Sequence, residues 1–123
     1  MRIKVVGPCA AGKSMLQARL RSRGIDISMA AQEHSAVPDL WQRRNPPDLL
    51  LFLDLARPET ANERLKRQDW TLAILETQTG RLAHARAHAD FYLVTDDLTP
   101  AQVEAQVLDF LHQFGIQPMN EEG

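Results

Sequence analysis

The chain has little cysteine: Cys9 is the single one among 123 residues. One thiol excludes an internal disulfide and a zinc site made of thiolates. An excess of either charge is also absent, because the formal net charge of −2 gives no general attraction to nucleic acid or membranes. No apolar run approaches the roughly 20 residues that span a bilayer, and the N-terminus lacks the features of a signal peptide. We therefore expect a cytoplasmic protein without nucleic-acid or membrane partners.

Strand and helix patterns alternate along the chain, and its length suits one domain. We expect that domain to span residues 1–118 and to be followed by a tail, residues 119–123. Strands are predicted over 2–6, 25–31, 49–53 and 91–95, helices over 13–23, 58–68, 70–88 and from 100 to about 114, and a loop over 34–47. This alternation predicts a three-layer α/β fold with a small, mostly parallel sheet of four or five strands.

The first predicted strand and helix are joined by a Walker A motif. The pattern requires Gly, four residues, Gly, Lys and Ser or Thr between a strand and a helix, and it is complete in Gly7, Pro8, Cys9, Ala10, Ala11, Gly12, Lys13 and Ser14. In such a motif backbone N–H groups and a helix N-terminus bind phosphates. The lysine reaches the β and γ phosphates, and the hydroxyl coordinates Mg²⁺. The sequence therefore predicts a P-loop NTPase fold that binds a nucleoside triphosphate, with Mg²⁺ as cofactor.

Two alternatives accompany this motif. A glycine-rich strand-to-helix turn that binds nothing has a similar sequence. Cys9, near a helix N-terminus, is favoured as a thiolate, or it is an inert small residue. The sequence does not fit a switch GTPase, which carries a DxxG motif and an NKxD motif. The residues after Asp54 are Leu55, Ala56 and Arg57, without the glycine of DxxG, and Thr95-Asp96-Asp97 is not NKxD.

Two later segments resemble a known family. Pro47 to Glu59, continuing into Asn62 to Arg67, resembles the segment "PD, apolar strand, LD, PE, ERLKxR" of thymidylate kinases and deoxynucleoside kinases. Ala89 to Asp96 with Leu98 to Pro100 is similar to the last strand and helix of the wider nucleotide kinase family. With the Walker A motif, the resemblance covers about half of the chain. It implies that Arg64 and Arg67 stabilise charge on the transferring phosphoryl group; a solvated basic helix face is the alternative.

The acceptor segment of those kinases is shortened here to residues 25–47, and Gln32-Glu33-His34-Ser35 is the nearest approach to their "DR" or "ERS" motif. Glu33, expected beside the phosphate loop, would hold Mg²⁺ through water or act as the base toward an acceptor hydroxyl, unless it is an ordinary loop glutamate. Asp54, after four apolar residues, is the rival Mg²⁺ carboxylate. The resemblance argues against Asp54, because it places the strand that ends in this residue on the other side of the phosphate-loop strand.

Several further side chains remain secondary candidates. His84 and His88 have the i, i+4 spacing of a metal-binding pair or of a solvated helix end. Arg81 or Arg86 would approach the nucleotide base. Trp41 with Arg43 and Arg44 would form an acceptor pocket, or Trp41 packs in the core. The sequence thus predicts a minimal nucleotide kinase-like phosphotransferase with a small-molecule acceptor, or an Mg²⁺-dependent NTPase, using ATP or GTP. The alternative is a non-catalytic nucleotide-binding or regulatory module.

Overall fold

Four parallel strands form the centre of the protein. The computed structural model describes residues 1–43 and 45–118, so Arg44 and the tail at 119–123 lie outside the described residues. The strands are β1 (Ile3–Val6), β2 (Ser28–Met29), β3 (Leu49–Asp54) and β4 (Phe91–Val94). Their order in the sheet is β2-β1-β3-β4, and all three pairs are parallel. The sequence prediction of an α/β fold with a small parallel sheet is therefore confirmed.

Helices connect and cover these strands. They are α1 (Lys13–Arg21), α2 (Leu40–Arg43), α3 (Pro58–Leu65), α4 (Leu72–Arg81), α5 (Ala83–His88) and α6 (Pro100–His112), with a short 3-10 helix at Gln32–His34. The start of α6 is encoded locally: Thr99 Oγ1 accepts from the Gln102 N–H at 3.2 Å, and the Gln102 side chain accepts from the Thr99 N–H at 2.9 Å, which is the predicted capping box. No helix in the described part of the chain is long and apolar enough to cross a membrane.

Apolar clusters lie on both faces of the sheet. All six residues of β3 are buried, and successive side chains of a strand point to opposite faces. Leu51 and Leu53 accordingly belong to one cluster, with the apolar faces of α1 and α6. Leu50 and Phe52 belong to the other, which contains Trp41 of α2 and residues of α5. The result is three layers, with the sheet in the middle.

Several predicted elements differ from the structure: α1 and α3 end earlier than predicted, and the short helix α2 lies within the predicted loop. The second strand, predicted over 25–31, is only Ser28–Met29, an edge strand that pairs with β1 through two residues. The helix predicted over 70–88 is two helices, α4 and α5, divided at Leu82 (φ −97°, ψ −1°), which belongs to neither. Leu75 before the break packs in the first cluster, whereas Leu82 and Ala85 pack in the second. The break therefore lets the chain pass from one face of the sheet to the other.

Candidate functional site

The Gly7–Ser14 segment, called here the Gly7–Ser14 loop, joins the end of β1 to the start of α1. A Cβ atom at Gly7 would lie 1.9 Å from the carbonyl oxygen of Leu53, so only glycine allows this close approach to β3. Gly12 caps α1 in a left-handed conformation (φ 103°), which costs a residue with a side chain free energy. The Ala11 N–H closes a turn onto the Pro8 carbonyl at 3.2 Å. Both glycines of the motif are thus required by the path of the backbone.

Several N–H groups of this loop form no hydrogen bond with the residues that the structure describes. The Cys9 N–H donates to Gln78 Oε1 at 2.9 Å. Among the described residues, by contrast, no acceptor lies within hydrogen-bond distance of the N–H groups of Ala10, Gly12, Lys13 and Ser14. The first N–H groups of a helix lack intrahelical acceptors, and the helix dipole makes this end attractive to anions. The loop therefore offers four backbone donors to a bound anion.

Lys13 and Glu33 form a nearly buried ion pair beside these donors. Lys13 Nζ donates to Glu33 Oε1 at 2.6 Å and to the Gly7 carbonyl at 2.5 Å. The side chains are 10 % and 6 % exposed. Glu33 is brought there by the 3-10 helix that follows β2. Its second oxygen, Oε2, is buried and has no hydrogen-bond partner among the described residues. The structure thus places Glu33 beside the loop, with one oxygen still able to accept.

Cys9 and His34 adjoin the same carboxylate. Cys9 Sγ lies 3.9 Å from His34 Nε2, and His34 Nε2 lies 3.4 Å from Glu33 Oε1. Gln78 of α4 holds Cys9 from the other side, since its Nε2 lies 3.5 Å from Sγ and its Oε1 accepts from the Cys9 N–H. Sequence analysis did not find Gln78, because nothing local marks a glutamine that contacts the loop from 69 residues away.

A cavity of about 880 Å³ opens above the loop, within the size range of small-molecule sites. One side of the cavity is the loop with the first turn of α1, together with Glu33 and His34. The other side is largely apolar and comes from the end of α3 and the segment after β4: Leu65, Leu98, Pro100 and Val103. The cavity therefore joins a cationic, donor-rich end to an apolar wall.

Arg64 of α3 lies in the wall between these two parts. Its Nη1 donates to the Ala10 carbonyl at 2.9 Å and to Thr95 Oγ1 at 3.0 Å, and its Nη2 donates to the Thr95 carbonyl. Thr95 Oγ1 in turn donates to the Ala11 carbonyl at 2.8 Å. Arg64 thus ties α3 and the end of β4 to the Gly7–Ser14 loop. The position of Thr95 at the end of the strand predicted over 91–95 was the available signal for its part in the site.

Asp96, the residue after Thr95, holds the start of α3. It accepts from the Ala56 and Arg57 N–H groups at 2.7 and 3.1 Å and from the Thr60 hydroxyl at 2.7 Å. Partial burial alone would raise the pKa of Asp96, but these hydrogen bonds outweigh it and leave the pKa below the usual 3.8. An ionised Asp96 therefore fixes the N-terminus of α3, the helix whose last turn carries Arg64.

Asp54, the rival Mg²⁺ carboxylate, is engaged elsewhere. Its Oδ1 accepts from the Leu55 N–H at 2.9 Å, and its Oδ2 accepts from the Tyr92 hydroxyl. It is not among the described residues that line the cavity. Its strand, β3, lies on the opposite side of β1 from β2. Of the two predicted carboxylates, the geometry therefore favours Glu33.

Arg67 does not accompany Arg64 to the cavity. The helix predicted to reach residue 68 ends at Leu65, because Lys66 takes a left-handed conformation (φ 55°) and terminates α3. Arg67 is therefore not one helical turn beyond Arg64, and it forms an exposed ion pair with Asp69, at 2.8 Å from Nε. Of the two predicted arginines, Arg64 lines the cavity and Arg67 does not.

His84 and His88 pack against each other and against Trp41. The His84 and His88 rings stack at 4.3 Å, the Trp41 indole N–H donates to His84 Nδ1 at 3.0 Å, and His88 Nδ1 lies 2.8 Å from the His84 carbonyl. Trp41 is 6 % exposed and belongs to the core, which confirms the packing interpretation. Within the described residues, the potential metal-binding group of three donors is Cys9, Glu33 and His34, so the histidine pair lacks a third ligand.

The remaining arginine candidates also have structural partners. Arg81 Nη1 donates to the Glu33 carbonyl at 3.1 Å, so it supports the 3-10 helix rather than a nucleotide base. Arg86 lies over the Tyr92 ring at 4.9 Å. Arg43 pairs with Asp39 at 2.8 Å and lines, with Trp41, a smaller cavity of about 320 Å³. Its predicted companion Arg44 lies outside the described residues.

No protein-family model matches the chain, and no curated protein matches it.

Proposed function

We propose that this chain binds a nucleoside triphosphate through the Gly7–Ser14 loop and, with Mg²⁺, transfers the γ-phosphoryl group to a small acceptor or hydrolyses it. The observation that carries the proposal is the grouping of four unpaired N–H donors and the Lys13 ammonium at one end of a large cavity. Groups of this kind bind phosphate oxygens. The complete Walker A sequence supports the same ligand.

The Lys13–Glu33 pair would open when phosphate binds. Lys13 now donates to two protein oxygens, and a polyphosphate would offer its ammonium stronger, more negative acceptors. Glu33 would then lose its cationic partner while a second charge arrives beside it. A divalent cation relieves this accumulation of negative charge, and the donor set suits one that prefers oxygen ligands. Ser14 Oγ and Glu33, directly or through water, would hold Mg²⁺, which would supply charge neutralisation at the phosphates.

The apolar wall would receive the nucleoside. Leu65, Leu98 and Pro100 line the cavity beyond the loop, and the planar Arg64 guanidinium is fixed beside them by three acceptor atoms. An arginine plane and apolar side chains form a surface on which a base can stack. We infer from this arrangement that Arg64 supports the loop and would contact the base, in place of the phosphoryl stabilisation that the resemblance implies.

Binding of ATP and of GTP, each with Mg²⁺, to the parent and to Lys13→Ala tests the proposal. Removing a charge-assisted contact should weaken binding by roughly 10- to 100-fold. Lys66→Ala is the matched control, because Lys66 is exposed and does not line the cavity; its affinity should equal that of the parent. Equal affinity of the Lys13→Ala and parent proteins would overturn the assignment.

A second function is nucleotide binding without phosphoryl transfer. It is favoured by the contacts of Arg64 and Arg67, since both side chains already have protein partners. Arg64 is fully engaged by the Ala10 and Thr95 oxygens, and Arg67 is paired with Asp69. Within the described residues, this leaves the cavity with Lys13 as its cation near the phosphate position. A single-turnover experiment with radiolabelled ATP, with and without nucleosides and nucleoside monophosphates, separates the two. Transfer or hydrolysis that is lost in Glu33→Gln supports the enzyme; tight binding with neither reaction supports the module.

A further inference from the structure

We propose that Cys9, His34 and Glu33 form a binding site for Zn²⁺ at the edge of the Gly7–Ser14 loop. Cys9 alone could not form such a site, but the fold adds donors of two other kinds. One ligand atom from each of the three residues lies within 4.8 Å of the other two. Thiolate, imidazole and carboxylate are the three ligand types that Zn²⁺ takes in proteins.

The distances match a tetrahedral ion. Zn–S bonds of about 2.3 Å and Zn–N and Zn–O bonds of about 2.0–2.1 Å place S and N about 3.6 Å apart, and N and O about 3.3 Å apart, at tetrahedral angles. The corresponding separations here are 3.9 Å for Cys9 Sγ to His34 Nε2 and 3.4 Å for His34 Nε2 to Glu33 Oε1. These two separations are close to the tetrahedral values, and the third, from sulfur to carboxylate oxygen, is no more than 4.8 Å.

The Glu33 carboxylate supplies the independent observation. Its side chain is 6 % exposed, yet Oε2 has no hydrogen-bond partner among the described residues. A buried carboxylate oxygen without a partner is costly. His34 Nε2 approaches Oε1, the oxygen that also accepts from Lys13, so coordination through Oε2 would require the carboxylate to rotate towards His34. The unsatisfied oxygen thus belongs to the carboxylate of the three-donor group found in the described part of the chain.

The surroundings also suit a metal site. Gln78 Nε2 lies 3.5 Å from Cys9 Sγ and can orient the sulfur from outside the coordination shell. The His34 side chain is 60 % exposed, and all three ligand residues line the open cavity, so an ion has a path in and a fourth position remains for water. This donor set differs from the all-oxygen set that Mg²⁺ prefers. Zn²⁺ binding would release the thiol proton of Cys9 to solvent.

Titration of the reduced full-length chain with Co²⁺, followed by displacement with Zn²⁺, tests this site. Co²⁺ substitutes for Zn²⁺ and gives a thiolate-to-metal charge-transfer band in the near ultraviolet. This band can arise only from Cys9, the single cysteine. We expect one ion per chain. His34→Ala and Glu33→Gln should each weaken Zn²⁺ binding by about 10-fold or more, at least the usual cost of losing an outer-shell partner.

The matched control is the double variant His84→Ala/His88→Ala, which removes the two stacked histidines outside the proposed site. It should retain both the thiolate-to-metal band and the Zn²⁺ affinity. Cys9 and His34 are not core residues, so their variants should fold, as checked by circular dichroism. The proposal is overturned if the parent gives no thiolate band, if one ion is shared by two chains, or if His34→Ala binds Zn²⁺ as tightly as the parent. Loss of binding in the His84→Ala/His88→Ala protein would also overturn it. Nucleotide affinity does not enter these readouts.

Discussion

Glu33 and Glu104 are buried to nearly the same extent, with 4 % and 5 % of each residue exposed, but their surroundings differ. Glu104 of α6 is fully satisfied: Oε1 accepts from Arg19 at 3.1 Å and Oε2 from Arg23 at 2.9 Å, which joins α6 to α1. Glu33 has a partner for one oxygen only. Among the described residues, the buried side-chain polar atom without a hydrogen-bond partner is Glu33 Oε2, and it lies at the cavity rather than in the packed interior.

The largest effect is expected from breaking the Glu33 pair. Lys13→Met leaves a buried carboxylate without its cation and should lower the free energy of unfolding by about 3 kcal/mol, the lower end for buried pairs, because the cavity admits water. Urea denaturation at neutral pH measures it.

The double variant Lys13→Met/Glu33→Gln removes the stranded charge and should recover most of that loss. Lys66→Met is the exposed control and should change little. If the double variant is no more stable than Lys13→Met, the Glu33 carboxylate is not the source of the destabilisation.

Breaking the satisfied pair should cost less. Glu104→Gln leaves Arg19 and Arg23 without a carboxylate, but these side chains are 37 % and 38 % exposed, so water can replace much of the lost interaction. We expect a loss of about 1–2 kcal/mol in the free energy of unfolding, measured by the same urea transition. Nucleotide and Zn²⁺ affinities should be unchanged. A change in either would mean that Glu104 acts on the cavity through α1, and the contrast with Glu33 would fail.

Two glycines extend the contrast to the backbone. An added Cβ meets nothing within 4 Å at Gly12 or at Gly80, so only conformation distinguishes them. Gly12→Ala should destabilise the protein by about 1–2 kcal/mol, because alanine is unfavourable at φ 103°. Gly80→Ala lies within α4 and should stabilise it by about 0.5–1 kcal/mol. Thermal midpoints measure both; changes of the same sign would show that the Gly12 conformation is not maintained in solution.

The elements that sequence predicts well are those set by neighbouring residues. The capping box at Thr99 and Gln102 and the apolar run of β3 are complete within a few residues. The same holds for the pattern that places Gly7–Ser14 between a strand and a helix. Alternation of such elements was enough for the α/β class and the parallel sheet.

The parts that sequence did not predict depend on distant contacts. Leu82 interrupts a helix because its side chain is needed in the second cluster, and α2 forms where Trp41 packs into that cluster. Gln78 reaches Cys9 and Tyr92 reaches Asp54 across 69 and 38 residues. A local pattern identifies a carboxylate such as Asp54, but it does not show which groups donate hydrogen bonds to that carboxylate. The preference for Glu33 over Asp54 as the candidate Mg²⁺ carboxylate therefore depends on the structure.

The smallest effect is expected at the third buried carboxylate, Asp54. It concerns the titration of Tyr92 and is not observed at neutral pH. Partial burial and the hydrogen bond to Asp54 raise the pKa of Tyr92 from 10.0 to about 12, against a smaller opposing effect of Arg86. Because the pKa is higher in the folded than in the unfolded state, this contribution to stability is complete below about pH 10 and is lost as pH rises towards 12. Tyr92 is the single tyrosine, so phenolate absorbance reports it directly. Asp54→Asn should lower the midpoint towards 10; an unchanged midpoint would mean that Asp54 does not accept from Tyr92 and remains available to a metal.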